Sequence, residues 1–396
     1  MIRHSQYFTE ELFAESMIAL IDIKNVHNAL DLGIGNGALS KAVLKRWPQI
    51  SIDAIDVDDD ICNNVLLKKY NINIQQGDVL NVENVNLLKN NYDLAICNPP
   101  YKRIKYDNKY KELFKEANLY ECNEQKCISA DIIFVAVNLK LLKPNGVLAI
   151  IVPDGLLTRK DYRPFRHAII SRHRITHVIQ LPEKAFSKTE ARTHIIIIEK
   201  NGKTNDNVPI SNMSPNGVIN ETIKISQTVL FNRMDFSYCK WVKLSSKKQY
   251  YKINNIAYEI KRGNISYKNL RTSNLNFLHS NSYSNNACLQ FPSYEYNINK
   301  VTAKAGDIIM CRVGKRCVGK IAFIESGTIP LSDCLFKITV PFKYQMEVFK
   351  ELQSSESKEW ITINAHGVCS KVISKSDLEQ YIGVILRRII DNHNEL

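Results

Sequence analysis

The first 200 residues of the chain alternate short apolar segments with segments of helical periodicity. Strands are predicted at 28–33, 51–56, 72–75, 92–97, 146–152, 175–180 and 193–199, with helices between most of them. Strands that alternate with helices pair in parallel, because each helix crosses over the sheet before the next strand begins. The pattern therefore predicts an α/β fold with a mostly parallel, seven-stranded sheet covered by helices on both faces.

The length and local composition of the chain predict two domains. A chain of 396 residues is too long for one ordinary core. Residues 201–217 are rich in Gly, Pro, Ser and Asn, so the compact part of the α/β unit is predicted to end there. The rest mixes short strands with polar loops. We place the boundary near residue 240, giving a first domain at 1–240 and a smaller α+β domain at 241–396.

Charge is unevenly distributed along the chain, which has a net charge of +13. Residues 1–100 contain 8 Lys and Arg against 13 Asp and Glu, whereas residues 201–350 contain 21 against 9. The N-terminal part is thus acidic and the central and C-terminal parts are basic. This distribution predicts that a polyanion contacts only part of the molecule. A solvated, lysine-rich surface is the alternative.

Composition also indicates which classes of protein to exclude. No apolar run approaches the roughly 18 residues that span a bilayer. The N-terminal segment MIRHSQYFTEELFAESM contains acidic residues and no apolar core, so it does not resemble a signal peptide. The ten cysteines form no CxxC pair, so no zinc site is expected. Unpatterned cysteines favour a reducing environment, and we predict a cytoplasmic protein without membrane contact or metal.

One predicted strand–loop–helix carries an aspartate and three glycines: Asp31, Gly33, Gly35 and Gly37. Glycines at this place let a ligand approach the backbone. The next strand ends at Asp56, whose carboxylate can accept hydrogen bonds from both hydroxyls of a ribose, and the following strand leads to Asp78. Ligands of α/β sheets bind outside the carboxyl ends of the strands, so these residues should converge. A tight turn with surface acids is the alternative.

This arrangement resembles the S-adenosylmethionine-dependent methyltransferase fold, which is Rossmann-like. The pattern D-x-G-x-G-x-G suits that family better than the dinucleotide pattern G-x-G-x-x-G, because Asp31 and the third glycine's spacing differ. The resemblance implies S-adenosyl-L-methionine as cofactor, with its methionine part beside the glycine loop, its ribose on Asp56 and its adenine amino group on Asp78. Related enzymes also bind the cofactor with a Phe-Thr segment, here Phe8 and Thr9.

The fourth predicted strand stops at the tetrapeptide Asn98-Pro99-Pro100-Tyr101, beside the expected cofactor. Methyltransferases with (D/N/S)-P-P-(Y/F/W) at this place act on a planar nitrogen: adenine N6, cytosine N4, guanine N2 or a glutamine amide. Such a nitrogen is a poor nucleophile because its lone pair is delocalised. The Asn98 side-chain oxygen and the Pro99 carbonyl would accept hydrogen bonds from the amine, which favours a pyramidal nitrogen and frees its lone pair. Tyr101 would stack on the base.

The order of the motifs resembles the γ class of adenine-N6 DNA methyltransferases, which includes TaqI-like enzymes, over residues 1 to about 240. In those enzymes an aromatic residue before the last strand stacks on the opposite face of the extruded base, and Phe186 corresponds to it here. A core position is the alternative for Phe186. A basic insertion at 102–127, including Lys102 and Arg103, is placed to contact the DNA backbone, or else is a solvated lid helix.

Three segments of the rear part resemble the target-recognition domains of type I restriction specificity subunits: TAKAGDIIMCRVGKRCVGKIAFI, NAHGVCSKVISKSDLEQYIGVIL and IAYEIKRGNISYKN. The resemblance implies that polar residues between 262 and 300 read base edges. Four basic residues are expected to bind phosphates: Arg312, Lys315, Arg316 and Lys320.

The sequence thus predicts methylation of adenine N6 in a specific double-stranded DNA sequence. The role would be modification in a restriction system or an unpaired methylation mark, and any restriction activity would need a separate endonuclease. A guanine-N2 RNA methyltransferase and a protein glutamine methyltransferase share the catalytic logic and remain alternatives. A DNA specificity module with an inert methyltransferase core is a third.

Overall fold

The computed structural model describes residues 9–394 except 86–87, 90, 125–126, 184, 187–191, 204–205, 246–256, 273–275, 297–298 and 366–369. The chain divides into two compact units, Met1–Lys243 and Leu244–Leu396. The division lies next to the boundary predicted near residue 240. Which activity each unit carries stays a prediction.

The strands of the first unit are β1 (Asn28–Leu32), β2 (Ser51–Asp56), β3 (Ile72–Gln76), β4 (Tyr92–Cys97), β5 (Arg103–Lys105), β6 (Cys127–Ser129), β7 (Leu142–Pro153), β8 (Arg174–Gln180), β9 (Thr193–Glu199), β10 (Asn207–Met213) and β11 (Ile219–Ser226). Among the described residues, nine of these form one sheet in the order β11-β10-β8-β9-β7-β4-β1-β2-β3. β9 runs antiparallel to both of its neighbours, whereas β3, β2, β1, β4 and β7 pair in parallel. The strands β5 and β6 form a separate antiparallel pair.

The helices of this unit are α1 (Glu11–Ala19), α2 (Ala38–Arg46), α3 (Asp59–Cys62), α4 (Val82–Val85), α5 (Tyr110–Glu116), α6 (Ala130–Leu141), α7 (Asp154–Thr158), α8 (Arg163–Arg172), α9 (Gln227–Leu230) and α10 (Phe236–Ser245). They cover both faces of the sheet, which explains why β4 is buried at all six positions and apolar at all of them except Asp93. Its side chains alternate between two hydrophobic clusters. Ala95 and Cys97 join the cluster containing α6, and Leu94 and Ile96 join the cluster containing α1 and α2.

The predicted fold class is confirmed, and each of the seven predicted strands lies at its expected place. The sheet nevertheless has two strands more than predicted, β10 and β11. The prediction that the compact unit ends within 201–217 is therefore wrong, because β10 begins inside that segment. Its polar residues alternate with Val208, Ile210 and Met213, whose side chains are buried. The Gly, Pro, Ser and Asn content of 201–217 is typical of turns, and it obscured the alternation of buried and polar residues in β10.

The second unit contains β12 (Glu259–Arg262), β13 (Ala287–Gln290), β14 (Thr302–Lys304), β15 (Ile308–Cys311), β16 (Ile321–Ser326), β17 (Thr328–Pro330) and β18 (Leu335–Thr339). Five of the described strands form a sheet in the order β12-β18-β15-β16-β13. The helices are α11 (Tyr267–Arg271), α12 (Gln345–Glu351), α13 (Ser355–Asn364) and α14 (Lys375–Asn394). The unit is therefore α+β. Within the described residues, no helix combines the length and apolar character that crossing a membrane requires.

Candidate active site

Three of the residues predicted to bind a ligand lie at the carboxyl ends of three neighbouring parallel strands. Asp31 lies on β1, level with Ala54 of β2 and Ile96 of β4. Asp56 ends β2, and Asn98 directly follows β4. Parallel neighbours place their carboxyl ends at one edge of a sheet, so the topology brings these side chains together, as the sequence predicts.

The loop after β1 depends on glycine for its path. Gly35 and Gly37 have φ angles of 55° and 76°, a region that favours glycine. A Cβ atom on Gly37 would also lie 2.5 Å from Leu67 Cδ2. The backbone N–H of Gly35 donates a hydrogen bond of 2.9 Å to Asp56 Oδ2, which ties the loop to the end of β2.

Asp31 is a buried carboxylate whose two oxygens differ in hydrogen bonding. Its side chain is 1% exposed, and Ser40 Oγ donates a hydrogen bond of 2.6 Å to Oδ2. Within the described part of the chain, Oδ1 accepts no hydrogen bond. Burial raises the pKa of Asp31 to about 7. A buried carboxylate oxygen of this kind beside a glycine loop suits a cationic ligand group, since an opposite charge would favour its ionised form.

The two other predicted acidic residues differ in environment. Asp56 is buried and accepts hydrogen bonds from two backbone N–H groups, those of Gly35 and Asp58. Asp78 is exposed and accepts one from the N–H of Leu80 at 2.9 Å. Asp56 therefore also shapes the glycine loop, whereas Asp78 lies at the surface, open to a ligand. Phe8, the other residue of the predicted Phe-Thr segment, lies outside the described residues.

The tetrapeptide after β4 is tied to the segment before α1 by a chain of hydrogen bonds. Asn98 Nδ2 donates to Thr9 Oγ1 at 3.0 Å, and the Tyr101 hydroxyl donates to Asn98 Oδ1 at 2.8 Å. Thr9 and Pro99 are buried, while Asn98, Pro100 and Tyr101 are half-buried. The carboxamide is therefore held from both ends with its oxygen on the Tyr101 side. Sequence reasoning assigned Thr9 to the cofactor and did not anticipate its contact with Asn98.

Phe186 lies in the hydrophobic core rather than at a surface. Its side chain is 1% exposed and belongs to the cluster that contains Phe13 and Met17 of α1. This position fits the alternative stated for it, a core residue, and the ring is not open to a base in this conformation.

Of the basic residues predicted to contact DNA, four are exposed and two pack against aromatic rings of the protein. Lys102, Arg103, Lys315 and Arg316 are exposed. Lys320 instead donates a hydrogen bond to the carbonyl of Tyr283, with its Nζ 4.6 Å from the centre of the Tyr283 ring. Arg312 lies partly buried, 6.0 Å from the ring centre of Phe336, and burial lowers its pKa. Lys320 and Arg312 thus pack against aromatic rings of their own unit, and phosphate binding by Arg312, Lys315, Arg316 and Lys320 stays a prediction.

Sequence reasoning missed a pair of ionisable side chains at the same edge of the sheet, one of them buried. Asp154 directly follows β7, and its Oδ1 lies 3.0 Å from Nε2 of His194 on β9. The His194 side chain is fully buried. The available signal was an acidic residue at the end of an apolar strand, the same signal that identified Asp56.

Known proteins resemble this chain over its first unit and beyond. The model of the N-6 DNA Methylase family matches residues 3–269, more than half of the chain. The Type II methyltransferase M.AccI of Acinetobacter calcoaceticus is 30% identical over 222 residues, which cover 53% of this chain and 39% of the relative. The Type II methyltransferase M.BsuBI of Bacillus subtilis is 26% identical over 234 residues, covering 52% and 45%. The chain thus spans less than half the length of these curated relatives.

The type IIG restriction endonuclease BpuSI has a similar fold. Its crystal structure matches 96% of this chain and 59% of its own, with a TM-score of 0.54 and 13% identity. The fold, the glycine loop at the carboxyl edge and the match to the family model agree with one another. The chain belongs to the N-6 DNA methylase family.

Proposed function

We propose that this protein transfers a methyl group from S-adenosyl-L-methionine to N6 of adenine in a specific double-stranded DNA sequence. Its role would be that of the modification enzyme in a restriction–modification system. The two relatives are named type II methyltransferases, and the family is that of N-6 DNA methylases. The observation that carries the proposal is the Asn98 carboxamide, fixed beside the glycine loop at the carboxyl edge of the sheet.

The residues around the glycine loop fit the cofactor. Asp31 Oδ1, which accepts no hydrogen bond within the described residues, suits its cationic methionine part. Asp56 and Asp78 would accept hydrogen bonds from the ribose and the adenine amino group. Other residues that would border it are Thr9, Gly33, Gly35, Gly37 and Asn98. When bound, S-adenosyl-L-methionine supplies an electrophilic methyl group on a sulfonium, so the amine needs no strong general base before attack.

The tetrapeptide would activate the amine by accepting one hydrogen bond from each of its two N–H groups. Asn98 Oδ1 and the Pro99 carbonyl are acceptors on a rigid turn, and fixed dipoles of this kind stabilise charge that develops in a transition state. An amide oxygen has two lone pairs, so Asn98 Oδ1 can accept from the amine while it still accepts from Tyr101. Thr9 would keep the Nδ2 end of the carboxamide turned away from the substrate.

Two variants of Tyr101 separate its ring from its hydroxyl. Tyr101→Phe should lower kcat only about 2- to 10-fold, because it removes one neutral hydrogen bond and keeps the stacking face. Tyr101→Ala should lower kcat/KM for duplex DNA by about 10- to 100-fold, because the base loses its stacking partner. Steady-state kinetics on a duplex substrate distinguish the two, with cofactor affinity as a control. An equal loss of kcat/KM in both variants would contradict a stacking role for the Tyr101 ring.

Cofactor affinity should depend on pH through Asp31. With its pKa raised to about 7 by burial, Asp31 is mostly neutral at pH 6 and mostly anionic at pH 8. A cationic ligand prefers the anion, so affinity for S-adenosyl-L-methionine should rise about tenfold between these pH values. Calorimetric titration measures this, and Asp31→Asn should bind weakly with a flat pH profile. A wild-type affinity that falls as pH rises would rule out the assigned contact.

We also propose that the first unit is the catalytic domain, of the γ class, and that the second is a target-recognition domain like those of type I specificity subunits. The exposed residues Lys102 and Arg103 of the first unit and Lys315 and Arg316 of the second would contact phosphates. This division accounts for the basic second unit, which a glutamine methyltransferase acting on protein would not need.

The test of this function is a comparison of acceptors. The protein is incubated with labelled S-adenosyl-L-methionine and, in turn, with unmethylated duplex DNA, RNA and protein, and the modified product is identified by mass spectrometry. We expect N6-methyladenine in duplex DNA alone. N2-methylguanine in RNA or methylated glutamine would favour the corresponding alternative. Tight cofactor binding without any transfer would indicate an inert core fused to a specificity module.

A further inference from the structure

One stretch of the second unit, residues 260–290, combines positive charge with amide and hydroxyl side chains. It contains four Lys and Arg residues, seven Asn and five Ser, and no Asp or Glu. In a chain that is 23% charged, 31 consecutive residues without a carboxylate contribute no repulsion of their own toward a phosphate backbone, although Asp333 and Glu325 contact Arg262 and Gln290 of this stretch. Its short helix α11 exposes Tyr267, Lys268 and Arg271 on the surface.

Tyr267 is held in place by a stack of rings. Its ring lies 4.1 Å from that of His279, with 21° between the planes, although Tyr267 remains 39% exposed. His279 Nδ1 lies 2.8 Å from the hydroxyl of Ser332, which is fully buried. Burial lowers the pKa of His279, which favours the neutral imidazole. An exposed aromatic ring is thus anchored to the interior of the unit.

Arg271 lies over this anchored ring. Its guanidinium carbon is 5.9 Å from the centre of the Tyr267 ring. Within the described part of the chain, Arg271 makes no ion pair, whereas Arg262, Arg387 and Arg388 of the same unit pair with carboxylates. The donors of Arg271 therefore remain available, and the ring restricts the orientations that its side chain can adopt.

We propose that Tyr267, Arg271 and His279 form a sequence-reading surface, in which Arg271 contacts the major-groove edge of a guanine in the target DNA. This inference rests on the proposed function. A guanidinium donates two parallel hydrogen bonds to O6 and N7 of guanine, the commonest specific contact between proteins and DNA. The ring stack holds the guanidinium before DNA arrives, so less side-chain freedom is lost on binding. A lysine contacting phosphate would need no such support.

The experiment compares Arg271→Ala with Lys350→Ala, a matched loss of charge at an exposed residue on α12. The DNA methylated by each full-length variant is sequenced with detection of modified bases. For Arg271→Ala we expect methylation to spread to sites that differ at one G·C pair, with discrimination at that position reduced about 10- to 100-fold. Lys350→Ala should keep the wild-type pattern. Tyr267→Ala should relax the same position more weakly, with cofactor affinity unchanged.

Two results would overturn the inference while leaving the proposed function intact. One is an unchanged site pattern for Arg271→Ala. The other is a loss of DNA affinity that is equal for all sequences, together with a salt dependence of binding reduced by about one phosphate contact. That result would show that Arg271 contacts the DNA phosphate backbone. Wild-type protein that methylates no DNA would instead overturn the proposed function. Thermal unfolding of each variant distinguishes these outcomes from a loss of fold.

Discussion

Asn98→Ala is expected to slow methyl transfer to duplex DNA by at least about 100- to 1000-fold, while the Kd for S-adenosyl-L-methionine changes little. The loss follows because the variant lacks the side-chain oxygen that would accept a hydrogen bond from one N–H of the amine, and removing one preorganised hydrogen-bonding group costs about this much. The cofactor has several other contacts at the glycine loop and at Asp56. Single-turnover rates with labelled cofactor measure the transfer, and calorimetry measures the affinity.

A second variant separates the two ends of the carboxamide. Asn98→Asp keeps an acceptor oxygen but loses the donor to Thr9, so its rate should lie between those of the wild type and Asn98→Ala. Thr9→Val removes the acceptor of the same hydrogen bond and should also lower the rate of methyl transfer. A near-native rate for Asn98→Ala would show that the assigned chemistry is wrong.

Asp56→Ala should weaken binding of S-adenosyl-L-methionine roughly 100-fold. The carboxylate holds the Gly35 and Asp58 N–H groups and would accept the ribose hydroxyls, and each hydrogen bond to a charged group contributes about 1.5–3 kcal/mol. Loss of the side chain therefore removes a ligand contact and loosens the glycine loop at once. Calorimetric titration with the cofactor at fixed pH gives the affinity directly.

The same strand offers a matched control. Asp53 lies on β2 away from its carboxyl end, where its carboxylate accepts a hydrogen bond of 2.7 Å from the Tyr92 hydroxyl. Asp53→Ala should affect stability rather than cofactor affinity. If Asp53→Ala and Asp56→Ala weaken binding equally, or if neither does, the ribose assignment to Asp56 fails.

The sheet and the convergence of the ligand-binding residues were predictable from the sequence for a physical reason. Strands buried on both faces appear as apolar runs, such as Leu94–Cys97, and parallel pairing then brings their carboxyl ends together. Asp56 and Asn98 could therefore be assigned to one edge without any contact being known. The strands β10 and β11 escaped prediction because Gly, Pro, Ser and Asn around them dominate the local composition.

Side-chain partners were harder to predict, because they depend on tertiary contacts. Asn98 and Thr9 are 89 positions apart in the sequence, and only the folded sheet brings them together. Charge alone did not distinguish exposed Lys315 and Arg316 from Arg312 and Lys320, which are held against Phe336 and Tyr283. The methylene groups of a lysine can pack along an aromatic ring, and a count of charges in the sequence does not show this contact.

The structure of the full chain bound to S-adenosyl-L-methionine would test the central claim most directly. We predict that the sulfonium methyl group points into a pocket bordered by Asn98 Oδ1 and the Pro99 carbonyl, with room for an amine nitrogen about 3–3.5 Å from the methyl carbon. A methyl group separated from the tetrapeptide by intervening protein, so that no amine can reach both, would contradict the account.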